Sequence, residues 1–156
     1  MRVQRVLLVC SGNTCRSPMA AALLREYWKR EQPGWELTVD SAGTGAFPGL
    51  PATSHAVAAM QERGIDLTGH RSQPVLTLDG YDLVLTMTRA HRDALRSRFP
   101  EAAGRVFTLG EYAGGDADLP DPFGGSLEQY RRTAAALEAL MPSVVARIRT
   151  EGSYAG

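Results

Sequence analysis

The chain has 156 residues, 44% hydrophobic and 22% charged, with 17 basic side chains against 17 acidic ones. That length and mix fit one globular domain spanning 1–156 and exclude a disordered chain, and the level charge argues against a nucleic-acid or membrane-surface partner while leaving room for a local basic pocket. No apolar run nears the roughly 20 residues that span a bilayer, the run at 6–9 is too short for a signal-peptide core, and two cysteines make no disulfide framework, so the reading is a cytoplasmic protein with free thiols.

Residues 5–10 read as a buried strand, apolar without a break from Val6 to Val9. Ser17 suits a helix N-cap and Pro18 the first helical position. Beyond them Ala20, Leu23, Leu24 and Tyr27 mark one face of a helix to about residue 30, and Pro33-Gly34 breaks it. A second strand is predicted at 36–41, followed by a loop rich in glycine and proline. A helix follows at 53–63, ended by Gly64. The third strand is predicted at 81–87, a helix capped by Thr88 runs to Phe99 before Pro100, and the fourth strand covers 105–109. Residues 110–125 are turn-rich and acidic. Ser126 starts a long helix with Leu127, Tyr130, Ala134, Leu137, Met141 and Val145 on one stripe; Pro142 should kink or split it, and the tail 152–156 should fray. Strands alternating with helices imply a parallel sheet covered on both faces, whose ligands bind at the carboxyl ends of strands.

The loop after the first strand sits at such an end and holds both cysteines. Cys10 is followed by five residues, then Arg16 and Ser17. A loop between a strand and a helix N-terminus turns backbone amides inward and cradles an anion. Gly12 lets the backbone bend, while Ser11, Asn13 and Thr14 are small enough to leave amides accessible. Arg16 adds a planar fork for two phosphate oxygens. A Cys10 thiolate, favoured by the same amides, the helix dipole and the Ser17 hydroxyl, faces a bound phosphorus for in-line attack. An isolated cysteine at a strand end is ordinarily a small buried hydrophobe; the coincidence with the Arg spacing, the glycine and Ser-Pro reverses that. Cys15 reads equally as a spacer lending its amide or as a resolving thiol for oxidised Cys10.

Phosphoryl transfer also needs an acid for the leaving group. Asp121, stiffened between Pro120 and Pro122, is the candidate, with Asp116 and Asp118 competing in the same segment. An Asp-Pro turn alone is weak evidence. On the residues alone, His70 reads as an ordinary loop histidine, as do His55 and His91, and Tyr112 and Tyr130 fit packing.

VLLVCSGNTCRSPMA at the N-terminus, SAGT at 41–44, GHRS at 69–72, DLVLTMT at 82–88 and DPFGG at 121–125 resemble the low-molecular-weight protein phosphatase family over nearly the whole chain. The resemblance implies an α/β three-layer sandwich with a four-stranded parallel sheet in the order 2-1-3-4, and no metal or organic cofactor. It implies Cys10 as nucleophile, Arg16 as phosphate clamp and Asp121 as general acid, with Ser11, Gly12, Asn13, Thr14, Cys15, Arg16 and Ser17 around the phosphate. Asn13, Ser17, Ser41 and His70 match supporting positions. Tyrosine-phosphatase members carry a branched aliphatic residue where this chain has Thr14, and often two aromatics after Asp-Pro where it has Phe123 and Gly124. Both differences resemble the bacterial protein-arginine phosphatases, which implies phosphorylated proteins as partners, inorganic phosphate as product, and Thr14 and Phe123 as a guanidinium pocket. The alternative is a phosphotyrosine phosphatase with the same machinery. An arsenate reductase with an internal thiol relay needs cysteines beyond Cys15, and none follows. A non-catalytic phosphoresidue-binding module would lack the nucleophile or the acid, and both are present.

Overall fold

Side chains of β1 (Arg5–Cys10) divide by parity: Val6, Leu8 and Cys10 enter one core, Leu7 and Val9 another. Burial on both faces removes polar residues from the run and requires a layer on either side. The computed structural model, which describes residues 2–31 and 33–155, supplies both layers. β1 lies between β2 (Thr38–Gly43) and β3 (Leu83–Thr86), and β4 (Val106–Thr108) pairs outside β3. The order is β2-β1-β3-β4 and every pairing is parallel, which is the predicted sandwich.

One face is covered by α1 (Arg16–Glu31), α2 (Ser54–Gln61) and α5 (Leu127–Ala155). Met19, Leu23, Leu24, Met60, Leu137, Met141 and Ile148 pack there with Val6 and Leu8. The other face is covered by α3 (Arg89–Arg98) and a 3-10 turn, Pro100–Arg105, through Leu95 and Ala102, joined by Val75 and Leu78. A short α4 (Leu109–Tyr112) follows β4. Thr53 caps α2 and Thr88 caps α3 by accepting amides three residues on. Ser126 and Gln129 exchange hydrogen bonds of 3.2 and 2.7 Å, a reciprocal cap for α5.

Several boundaries differ from expectation for physical reasons. α1 begins at Arg16, so Ser17 is no N-cap; it lies inside the first turn, where Pro18 is tolerated because that turn's amides lack intrahelical partners. β2 sits two residues later than predicted, because Ala42 and Gly43 pair with Val9 and Cys10 despite low strand propensity. β4 stops at Thr108, whose side chain accepts the Glu111 amide while Glu111 returns a bond to the Thr108 amide, turning the start of the supposed turn segment into α4. The predicted break at Pro142 does not occur. Its missing amide forfeits one bond, about 3 kcal/mol with the steric cost, whereas Leu137, Met141, Val144, Val145 and Ile148 around it are each no more than 2% exposed and contribute about 1.5–3 kcal/mol apiece. Nor does the helix end before the tail: α5 continues to Ala155, and Gly156 lies outside the described residues.

Because Pro142 is exposed, Pro142→Ala removes the backbone defect without opening a cavity. It is expected to raise the unfolding free energy by about 1–3 kcal/mol. Urea denaturation reads this directly, and an unchanged or lower midpoint at equal slope would show that the helix has already absorbed the defect.

Candidate active site

The loop from Cys10 to Arg16 is shaped from outside. The carbonyls of Cys10 and Ser11 accept the amides of Thr44 and Gly45 at 2.9 and 3.0 Å, and the Thr14 carbonyl accepts the Thr53 amide at 3.0 Å. The Asn13 carbonyl lies 2.6 Å from His70 Nε2. In a trans peptide the next N–H points opposite the C=O. Four outward carbonyls therefore turn the amides of Ser11, Gly12, Thr14 and Cys15 to the inner side of the loop. The tight bend is not at Gly12, as expected, where a Cβ would meet only Thr14 Oγ1 at 3.7 Å. It is at Asn13, with φ 58. The asparagine holds that conformation with its own side chain: Nδ2 donates to Ser17 and Ser41 at 2.8 and 2.9 Å, and Oδ1 accepts the Gln73 amide at 2.9 Å. Gly43 is needed for a different reason. A Cβ there would press on the Ser11 carbonyl and lie 2.8 Å from Ala46 Cβ.

Cys10 Sγ, at the base of this loop, accepts the Asn13 amide at 3.3 Å and lies 2.9 Å from Ser17 Oγ. Ser17 Oγ accepts Asn13 Nδ2, and its one proton has two acceptors in reach, the sulfur at 2.9 Å and the Ala42 carbonyl at 3.5 Å; along the shorter contact it points to the sulfur, the arrangement a thiolate uses. Arg16 is 4% exposed. Nη1 donates to the Leu119 carbonyl at 2.8 Å, Nη2 forms an ion pair with Asp121 Oδ2 at 3.6 Å, and Nε has no partner among the described residues. Nε and Nη2 form one edge of the guanidinium. A two-oxygen anion docked side-on satisfies both.

Cys10, Ser11, Gly12, Thr14, Cys15, Arg16, Asp121 and Phe123 line one cavity of about 220 Å³. Of the three competing acids, Asp121 is the one in this lining. Asp118 instead accepts the Arg89 amide at 3.0 Å and pairs with its side chain, and Asp116 is exposed outside the lining. Asp121 Oδ1 accepts the Phe123 amide at 3.1 Å, which orients the carboxylate and leaves the Phe123 ring 70% exposed at the rim. Among the described residues no three His, Cys, Asp or Glu side chains gather as a metal-holding group.

Ser41 and His70 both reach Asn13, one at its Nδ2 and the other at its carbonyl. Burial lowers the His70 pKa, so near neutral pH its Nε2–H donates to Asn13 as a neutral imidazole. Cys15 is buried with its sulfur 3.3 Å from Tyr130 Oη, whose own pKa burial pushes up to about 12. His55 packs edge-on against that ring at 5.3 Å. His91 departs from the ordinary reading: it is buried, with Nε2 2.8 Å from Ser11 Oγ. Its partner lies 80 positions away, and the local N-cap signal at Thr88 carries no information about that separation.

The known proteins that this chain matches share both its sequence and its fold. The family described as low molecular weight phosphotyrosine protein phosphatase matches residues 5–154. A protein-arginine-phosphatase of Geobacillus stearothermophilus is 44% identical over 150 residues, covering 94% of this chain and 97% of that relative. The low molecular weight protein-tyrosine-phosphatase Wzb of Escherichia coli K12 is 36% identical over 135 residues, covering 85% of this chain and 87% of the relative. A solved YwlE arginine phosphatase, a cysteine-to-serine mutant with a phosphorylated active-site serine, superposes with a TM-score of 0.89 at 41% identity, covering 95% of this chain and 97% of that one. With the loop, the sheet order and these matches in agreement over almost its full length, the chain belongs to the low-molecular-weight phosphotyrosine protein phosphatase family.

Proposed function

We propose that the chain hydrolyses phosphoarginine in proteins through a phosphocysteine intermediate. The observation that carries this reading is the convergence of the Cys10 sulfur, the Arg16 fork and the Asp121 carboxylate on one cavity. The likeness to named arginine phosphatases supports the choice of substrate. In the first step the Cys10 thiolate attacks phosphorus, an S–P bond forms, and the P–N bond breaks as Asp121 gives its proton to the departing nitrogen. Inward amides and Arg16 stabilise the charge on the equatorial oxygens. In the second step Asp121, now a carboxylate, takes a proton from water. The water oxygen bonds to phosphorus, the S–P bond breaks, and inorganic phosphate leaves with the thiolate restored.

Thr14 and Phe123 are both in the lining of this cavity. A hydroxyl in place of an apolar branch accepts from a guanidinium N–H, and the Phe123 ring offers a face to the planar cation. Cytoplasmic phosphoproteins are the substrates in this reading, and a reducing setting keeps Cys10 available; Cys15 either lends its amide to the loop or, once peroxide has oxidised Cys10 to the sulfenic acid, attacks that sulfur to form a disulfide with loss of water. The second reading, a phosphotyrosine phosphatase with the same steps, has its support in the likeness to Wzb.

Steady-state hydrolysis of a phosphoarginine protein and a phosphotyrosine peptide, measured side by side, is expected to favour phosphoarginine. Preference for the aryl ester would leave the steps intact and replace the substrate. Cys10→Ser is expected to keep the far-UV circular dichroism of the parent and lose turnover by at least about 10³-fold; near-parental turnover would mean another nucleophile. Thr14→Ile is expected to cut phosphoarginine kcat/KM by about 10–100-fold with phosphotyrosine activity retained, and an unchanged ratio would remove Thr14 as the selector.

A further inference from the structure

The His91 ring, in the first turn of α3, is gripped at both nitrogens. Nδ1 lies 2.9 Å from Thr88 Oγ1 and Nε2 lies 2.8 Å from Ser11 Oγ. Ser11 follows Cys10 directly and lines the same cavity, yet no step above uses His91. The state of the ring decides where the Ser11 hydroxyl proton points. With Nε2 bare, Ser11 must donate to it. With Nε2 protonated, Ser11 Oγ accepts and its own proton turns toward the cavity. A neutral ring carrying its proton on Nε2, with Nδ1 accepting from the Thr88 hydroxyl, points the Ser11 proton the same way; the imidazolium, donating to Thr88 on one side and to Ser11 on the other, does so while adding a positive charge beside the anion site.

The ionisable groups around the ring come from other elements. Burial is the largest influence and, with the Arg16 charge from α1, holds the His91 pKa below its ordinary 6.5, while Asp121 and Asp118 from the segment before α5 oppose them. A dianion seated on Arg16 offsets that guanidinium and places negative charge in the adjoining cavity, which favours the charged ring.

We propose that His91 is a positioning residue for the anion site: a bound phosphoryl dianion draws a proton from solvent onto the ring, and the imidazolium, donating Nε2–H to Ser11, turns the Ser11 hydroxyl proton onto the anion. The coupling is reciprocal. Below the ring's midpoint in the free protein it is charged with or without anion, and above its midpoint in the complex it is neutral in both. Between the two, each anion bound takes up a proton, and affinity falls as pH rises, by up to about tenfold per unit.

The inference rests on the anion-site reading, and one probe separates the two. Sulfate, a dianion across about pH 5 to 8, the range where histidine titrates, is bound to the Cys10→Ser protein, which lacks the thiol as a second titrating group. The imidazole signals are followed by NMR, with His91 assigned through His91→Gln and His70 read separately. Saturating sulfate is expected to raise the His91 midpoint by about one unit, a tenfold change in affinity. His91→Gln, which cannot titrate, is expected to bind sulfate without the parent's pH slope, and Ser11→Ala to bind it more weakly at low pH. An unmoved His91 midpoint under saturation, or a His91→Gln protein that keeps the parent's slope, overturns the inference. Sulfate that fails to bind overturns the site reading and this inference with it.

Discussion

The left-handed residue at Asn13 is the constraint on which the site depends. Any non-glycine residue in that conformation costs about 1–2 kcal/mol. Asn13 is also fully buried, so every polar atom it carries must find a partner. It finds them on three different segments: Ser17 on α1, Ser41 on β2, and His70 and Gln73 on the connection before β3. Each such bond contributes about 1 kcal/mol, so together they offset the backbone cost. The bend therefore exists only when the sheet, the first helix and that connection are already assembled.

A site built in this way has fixed donors before any ligand arrives. The Ser41–Asn13–Ser17–Cys10 chain runs from a strand through the loop to the nucleophilic sulfur with no solvent-exposed member. Arg16 is buried in the same cavity lining, with one nitrogen lacking a partner among the described residues. An arrangement chosen for stability alone would not leave a buried guanidinium nitrogen unmatched. Such strained and under-satisfied groups gather where a structure is shaped for chemistry rather than for its own cohesion.

Much of this was legible in the chain, and what was missed was missed for definite reasons. Continuous apolar runs located β1 and β3 because both faces of the sheet are covered. Thr88 marked a helix start because capping is local, and Thr53 and Ser126, where helical stretches were read to begin, prove to be the caps of α2 and α5. Ser17 matched the same local signal yet serves the sulfur instead, since its side chain is claimed by residues brought in from β1 and the loop. Gly12 drew attention as the flexible residue, but asparagine can take the left-handed bend when its amide is fully bonded, and that bonding is entirely long-range. The Thr108–Glu111 exchange that creates α4 was readable as a capping box and was masked by Gly110. Asp121 was already the candidate among three acids, because the flanking prolines stiffen it; the pairing of Asp118 with Arg89 is long-range and was not legible. The role of His91 depends on the pairing of β1 with β3, which brings Ser11 beside the start of α3.

The tight contact at Gly43 reaches beyond the one position it restricts. β2 is an edge strand, and its last residue bonds to Gln73 and Val75 on its outer side while its bare α-carbon lies against the Ser11 carbonyl. The strand end acts as a mould, and the loop is cast against it as the sheet closes. Its curvature is thus inherited from topology, and an arriving phosphoryl group need not organise it. The entropy lost on binding falls on the substrate chain alone, so even a short, disordered stretch of polypeptide can present its phosphoresidue to a receptor that has no shape left to find.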